Sequence, residues 1–207
     1  MFEKFGECRY NSIVKLIREE TPIEKEILDL GAGTDPITKH FKSKKSVTMD
    51  IDPDNKPDII FDFSKELPFE QNSFDICVMG EVLEHIYYSN KLLREIYRVL
   101  RSKGYLVLSV PNICSLKNRI SFIAGRVPMV ASRGDRFYER DSPGHVQDFN
   151  FKELNFLLKK NGFNIVNRKG DGISLRLFMS DGRTIIPNNL IPLNFQDSLI
   201  VKAEVIK

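Results

Sequence analysis

The sequence predicts an α/β fold with helices on both faces of a mostly parallel sheet, and three observations predict it. Segments of strand character alternate with segments of helical spacing along most of the chain. The first strand passes into a helix through the turn Gly31-Ala32-Gly33. Such a junction places a small-molecule site at the carboxyl end of a parallel strand. A chain of 207 residues, 42% hydrophobic and 29% charged, suits a single domain with a core covered on both sides.

Tyr10, Ile13, Val14 and Ile17 recur at helical spacing, which predicts an amphipathic helix over about residues 7 to 20, in an N-terminal segment 1–22 closed by Pro22. Ile27 to Leu30 reads as a short buried strand. Asp35 suits the N-cap and Pro36 the first position of a helix reaching about Lys42, because proline misses no needed amide donor there. Val47 to Ile51 is a second strand with Asp50 at its end, Asp58 to Phe63 a third, and Phe74 to Met79 a fourth. Only Asp52 to Pro57 separate the second from the third. A parallel crossover usually takes a dozen or more residues and a helix. A bare loop crossover is therefore expected, reaching roughly 20 Å when extended and leaving that sheet face thinly covered.

Leu92, Leu93, Ile96, Val99 and Leu100 mark the next helix, with Gly104 in the C′ role. Tyr105 to Val110 is a fifth strand, stopped by Pro111. Asn150 and Glu153 form a capping box, with Phe149 and Leu154 as its hydrophobic staple, and that helix runs to Gly162. Strands near Phe163–Asn167 and Ser198–Ile206 close the chain.

A net charge of +3 is too small to argue for nucleic acid. No apolar run approaches the ~18–20 residues of a membrane span, and Met1 to Gly6 contain no signal-peptide core. Cys8, Cys77 and Cys114 are odd in number and lack metal-type spacing, so a cytoplasmic protein without a metal is expected, with Cys77 buried in a strand. Oligomeric state is not legible.

Asp50 lies seventeen positions beyond Gly33. In a doubly wound sheet an acid there meets the ribose hydroxyls of a nucleoside bound over the glycine turn, since a carboxylate accepts from both. A solvated aspartate opening the Asp52-Pro53 turn would read the same way. Asp62 could accept the adenine amino group and Phe63 flank the ring, or the pair could be strand-end polarity and a core aromatic.

Order and combination are more specific than any single piece. From Ile27 onward the chain resembles the class I S-adenosylmethionine-dependent methyltransferases, particularly the small type 11 group. The residues that carry the likeness are Ile27-Leu28-Asp29-Leu30-Gly31-Ala32-Gly33, Val47-Thr48-Met49-Asp50-Ile51, Leu67-Pro68-Phe69, Ser73-Phe74-Asp75 and Glu81-Val82-Leu83-Glu84-His85. Arg98-Val99-Leu100, Gly104 and Ser109-Val110-Pro111-Asn112 continue it, and His145-Val146, Phe149 and Leu157 to Phe163 match the family's closing helix. Val110-Pro111-Asn112 through Arg119 to Gly125-Arg126-Val127-Pro128 is similar to the MetW-like branch, from which the following segment departs.

The resemblance implies a Rossmann-like, doubly wound seven-stranded sheet of order 3-2-1-4-5-7-6 with the last strand antiparallel. It implies S-adenosyl-L-methionine as cofactor and methyl transfer to an oxygen or nitrogen of a small-molecule acceptor by in-line displacement. At matching positions, Asp29 would lie near the methionine amino group, and Gly31, Ala32 and Gly33 would admit the methionine part. Asp50, with Ile51 beside it, would hold the ribose; Asp62 and Phe63 would frame adenine. Gly80 and Glu81 would line the wall by the sulfonium. Two positions depart from the family: Asp35 stands where a third glycine is usual, and the helix between the second and third strands is missing.

Methyl acceptors that carry a proton need a base. His145, in a stretch placed to face the site, is one candidate because an imidazole can take a proton at neutral pH, although a loop histidine bonded to backbone has the same appearance. Glu81 is the other candidate, four residues before His85 and on one face with it if a helix starts there. His40 reads as a solvated helix residue. Residues 113–144 mix apolar Ile120, Phe122, Ile123, Val127, Met129 and Val130 with Lys117, Arg119, Arg126, Arg133, Arg136 and Arg140. They read either as a lid that selects an apolar or anionic acceptor, or as a helical insertion packed on the sheet with a solvated basic edge. Two rival readings remain. A nicotinamide oxidoreductase would share the glycine turn and the acid, but Pro36 replaces its final glycine. A cofactor-binding module or partner subunit would bind without turnover.

Overall fold

The computed structural model describes residues 7–128, 144–176, 183–186 and 190–207. Helix α1 spans Glu7–Arg18, and strands β1 and β2 span Glu26–Leu30 and Lys45–Asp50. β3 (Ile59–Ile60) and β4 (Phe74–Gly80) are followed by α2 (Ser89–Val99), β5 (Leu100–Pro111) and α3 (Leu116–Ile123). Then come α4 (Phe151–Lys160), β6 (Phe163–Lys169), the β7–β8 pair (Ile173–Arg176 and Arg183–Ile186) and β9 (Ser198–Val205). The main sheet has seven strands in the order β3-β2-β1-β4-β5-β9-β6. β1 to β5 pair in parallel, and β9 runs antiparallel to both β5 and β6. This is the expected 3-2-1-4-5-7-6 order, β9 being the seventh strand of the sheet.

Alternation along the central strands sorts their side chains between two apolar layers, as the two-residue strand period requires. Ile27, Ile76, Val78 and Val107 pack against Ile13, Val14, Leu16 and Ile17 of α1. Leu28, Leu30, Cys77, Met79, Leu106 and Leu108 face the other way, onto Leu92, Leu93 and Ile96 of α2 and Leu154 and Leu158 of α4. Both faces are buried, so these strands read as near-continuous apolar runs. At the amino edge of the sheet, Arg101 clamps β1 to β4, donating to Asp75 at 2.8 Å and Glu26 at 3.1 Å. Arg98 of α2 donates to the carbonyls of Leu67 and Phe69 at 3.0 and 2.7 Å and to Glu95, whose carboxylate accepts the Leu67 amide at 2.9 Å. That fastens the Leu67-Pro68-Phe69 loop onto the helix.

Four expectations need correction. The third strand is two residues long rather than six: Asp62 turns the chain by accepting the Ser64 amide at 2.9 Å, so pairing stops early. Gly104 does not terminate α2. The helix stops at Val99, Leu100 goes extended, and Gly104 lies inside β5, where a Cβ would come within 2.9 Å of the Arg101 and Asp75 carbonyl oxygens. The helix expected from Pro36 is a single 3-10 turn, Ile37–His40, with Pro36 rather than Asp35 at its N-cap. No helix begins at Glu81 either, because its φ of +55° is left-handed and only a 3-10 turn, Leu83–His85, follows. The bare crossover stands: Pro53–Asn55 form one 3-10 turn, with the Asp52 side chain accepting the Asp54 amide. Asn150 caps α4 by accepting the Glu153 amide at 3.0 Å, with Phe149 and Leu154 both buried beside it. The β7–β8 pair was not anticipated, and α3 lies in residues 113–144, where a helical insertion is one of the two readings. Among the described residues, no helix is long and apolar enough to cross a membrane.

The two-layer core sets a stability expectation. Leu106 has no exposure, so Leu106→Ala should cost about 3 kcal/mol in urea unfolding. Ile60→Ala at the 61%-exposed edge should stay within about 0.5 kcal/mol; equal losses would contradict this layering.

Candidate active site

The turn after β1 is built from backbone contacts to β2. The amides of Gly31 and Ala32 both donate to the Met49 carbonyl, at 2.8 and 3.1 Å. Gly31 has φ +69°, and a Cβ there would fall 2.2 Å from Cγ2 of Val82. A side chain at this position would force Val82, in the loop after β4, to move. Gly33 donates its amide to Oδ2 of Asp50 at 2.8 Å, and Oδ1 of Asp50 accepts from Asp52 at 2.9 Å. One acceptor site on each oxygen is used in this way, so the carboxylate keeps capacity for two hydroxyls.

Asp29, 1% exposed, explains why Asp35 caps nothing. Its Oδ2 accepts the Thr38 amide at 3.2 Å and the Thr38 hydroxyl at 3.4 Å, so it satisfies the turn's donor. The Tyr10 hydroxyl donates to the Pro36 carbonyl at 2.9 Å. Asp35 instead pairs with His40 at 3.4 Å. Burial pushes the Asp29 carboxyl up to about 6, against the pull of the Thr38 hydrogen bonds.

Two clefts meet at Gly31. One, of about 390 Å³, is lined by Asp50, Ile51, Asp62, Phe63, Glu81, Val82 and His85, with Tyr87 and Tyr88 at its wall. The other, of about 650 Å³, is lined by Arg9, Asp29, Ala32, Gly33, Asp35 and Gly80. Every residue expected at the cofactor lines one of these two clefts. The hydrogen bond from Ser64 holds the Asp62 carboxyl below its usual range.

Glu81 donates its amide to the Ser109 carbonyl at 3.1 Å, accepts the Ser109 hydroxyl at 3.0 Å and stands 3.2 Å from Arg9. Burial raises its carboxyl pKa, and the Arg9 charge opposes that. A left-handed φ at a non-glycine residue is strained backbone, here at the junction of strand and cleft. His145 stands just behind this wall: its ring lies 4.9 Å from that of His85, and its Nε2 is 4.0 Å from Oε1 of Glu84. Glu84 is 1% exposed; burial first, then the Glu81 charge, push its carboxyl up to about 8. Its backbone carbonyl accepts the amides of Val146 and Gln147, at 2.8 and 3.1 Å, and so brings the 144–147 segment to this wall.

Sequence reasoning missed Arg9, Ser109 and Glu84 as participants. Arg9 precedes the stretch that carries the family likeness. Glu84 lay within a quoted motif, and only tertiary packing gives it neighbours. Of the expected lid, α3 is described, capped by Ser115, with Ile120, Phe122 and Ile123 exposed. Met129, Val130, Arg133, Arg136 and Arg140 lie outside the described residues.

The family model described as "Methyltransferase domain" matches residues 2–168. A Mycobacterium tuberculosis protein named "Probable S-adenosylmethionine-dependent methyltransferase" is 35% identical over 98 residues, 47% of this chain, and the match spans only 30% of that protein's length. Burkholderia thailandensis 1,6-didemethyltoxoflavin-N1-methyltransferase, solved with 1,6-didemethyltoxoflavin and S-adenosylhomocysteine, superposes with TM-score 0.63 at 17% identity, covering 98% of this chain and 80% of its own. An Archaeoglobus fulgidus SAM-dependent methyltransferase gives TM-score 0.60 at 18% identity, covering 94% of each chain. With the model match across most of the sequence and the seven-stranded order in place, the chain belongs to the methyltransferase-domain family, among the class I S-adenosylmethionine-dependent methyltransferases.

Proposed function

We propose that this protein transfers a methyl group to an oxygen or nitrogen of a small-molecule acceptor. The observation that carries this reading is the meeting of two clefts at Gly31, with a carboxylate at the end of each flanking strand. A nucleoside fits the first cleft, where Asp50 holds the ribose, Ile51 covers it, and Asp62 and Phe63 frame the base. The amino-acid part fits the second, where Asp29 faces an ammonium and Gly31, Ala32 and Gly33 leave main chain bare. Gly80 and Glu81 then form the wall between sulfur and acceptor.

S-adenosylmethionine, when bound, supplies a methyl group activated on sulfonium. The protein's part is mostly positioning, which can supply roughly 7–11 kcal/mol. Phe63, Val82 and Ile86 make the nucleoside-side cleft largely apolar, which keeps water from competing with the acceptor. Glu81 lines the cleft with its basicity raised by burial and is the first candidate proton acceptor, and His145 is the second, close to the same wall. The Burkholderia neighbour's small heterocyclic substrate supports an acceptor of that size. A net charge of +3 is too small to argue for a nucleic-acid acceptor. The apolar face of α3, with Arg126 just beyond, supports an apolar or anionic acceptor. Unpaired Cys77 and Cys114 fit a reducing cytoplasm.

Calorimetry with S-adenosylhomocysteine tests the cleft: Gly31→Val should abolish binding, while Gly125→Ala, outside both clefts, should not. Binding that survives Gly31→Val would overturn the reading. Labelled methyl transfer into a metabolite extract then tests turnover; a protein that binds but labels nothing is a binding module.

Asp29 sets the pH dependence. Its folded value is raised to about 6, so the acid is neutral below that pH and loses its pull on an ammonium. S-adenosylhomocysteine affinity should fall about tenfold between pH 7 and pH 5, and Asp29→Asn should be weak and flat across that range. The apoprotein shows the opposite sign: the stability that protonation of Asp29 contributes is full below its unfolded value and is lost as pH rises through about 6. Wild-type affinity that stays level from pH 7 to pH 5 would remove Asp29 from the ammonium contact.

A further inference from the structure

We infer that Glu84, His85 and His145 form a binding site for a first-row divalent cation at the wall of the nucleoside-side cleft. One carboxylate oxygen and one ring nitrogen from each histidine all lie within 4.8 Å of one another. Nε2 of His85 and Nε2 of His145 each stand 4.0 Å from Oε1 of Glu84. Two ligands on a tetrahedral ion with bonds of ~2.0–2.1 Å lie about 3.4 Å apart. Small side-chain rotations therefore close this set around an ion.

The independent pointer to an ion is Glu84 itself. It is 1% exposed, and neither of its carboxylate oxygens has a hydrogen-bond partner. Buried carboxylates are normally hydrogen-bonded, paired or coordinated to metal. A cation satisfies both oxygens and the burial together.

The placement is built into the backbone. The Glu84 carbonyl accepts from Val146 and Gln147, and the Gln147 side chain donates to the Ile86 carbonyl at 2.6 Å. These bonds hold the segment carrying His145 against the one carrying Glu84 and His85. The expectation of no metal came from ligand spacing along the chain, and sixty residues separate His85 from His145. Two imidazoles and one carboxylate suit zinc, cobalt or manganese and leave coordination positions open. With the ion bound, His145 is a ligand, and Glu81 remains as proton acceptor. The site stands apart from the methyl-transfer reading, because no part of it depends on the cofactor.

The test is titration of chelator-treated full-length protein with Co²⁺, followed by visible absorption, with S-adenosylhomocysteine affinity of the wild type measured on the same preparation. One saturating equivalent is expected, and Glu84→Gln and His145→Ala should each weaken Co²⁺ binding at least tenfold. Should Glu84→Gln fail to fold, His145→Ala decides, its side chain being 23% exposed. Zn²⁺ should also raise the melting temperature of the wild type and not of that variant. No saturable Co²⁺ binding by the wild type, or unchanged binding by His145→Ala, overturns the inference. Failure of S-adenosylhomocysteine alone would instead count against the cofactor reading.

Discussion

The contact between Gly31 and Val82 constrains everything around it. The turn after β1 lies so close to the loop after β4 that any Cβ at Gly31 would collide. The Met49 carbonyl and the Asp50 carboxylate pull the same turn toward β2 from the other side. Three parallel strands are thereby gathered at their carboxyl ends around one point of bare backbone. The clefts on either side of that point follow from sheet order, because β1 lies between β2 and β4.

Much of this was legible because the relevant forces are local. The apolar run of Ile27, Leu28 and Leu30, the helical spacing of Leu92, Leu93 and Ile96, and the Asn150 cap are each legible within a few residues. Gly31 and Asp50 were readable by the same logic, a positive φ and a strand-end acid. Gly104 was misread because a glycine after a helix has two uses, and close approach to the Arg101 and Asp75 carbonyls decides between them. The Asp35 cap and Pro36 start were misread because the Thr38 amide is taken by Asp29, nine residues back in β1.

Long-range proximity explains the rest. Glu81 shares one wall with Arg9 from α1 and Ser109 from β5, and none of these is near it in sequence. Glu84 has His85 beside it in sequence but gains His145 only when the segment before α4 folds back onto it. In one dimension His145 reads as a candidate base or a backbone-bonded loop histidine, and nothing there joins it to His85. Their ring separation of 4.9 Å belongs to the folded chain alone.

The central claim is that one nucleoside ligand spans both clefts across Gly31. Its most direct test is a crystal structure of the protein with S-adenosylhomocysteine. Ribose density against Asp50, with the amino-acid tail beside Asp29, is the predicted result. A ligand lodged elsewhere, or clefts closed by side chains with Asp50 turned away, would contradict it.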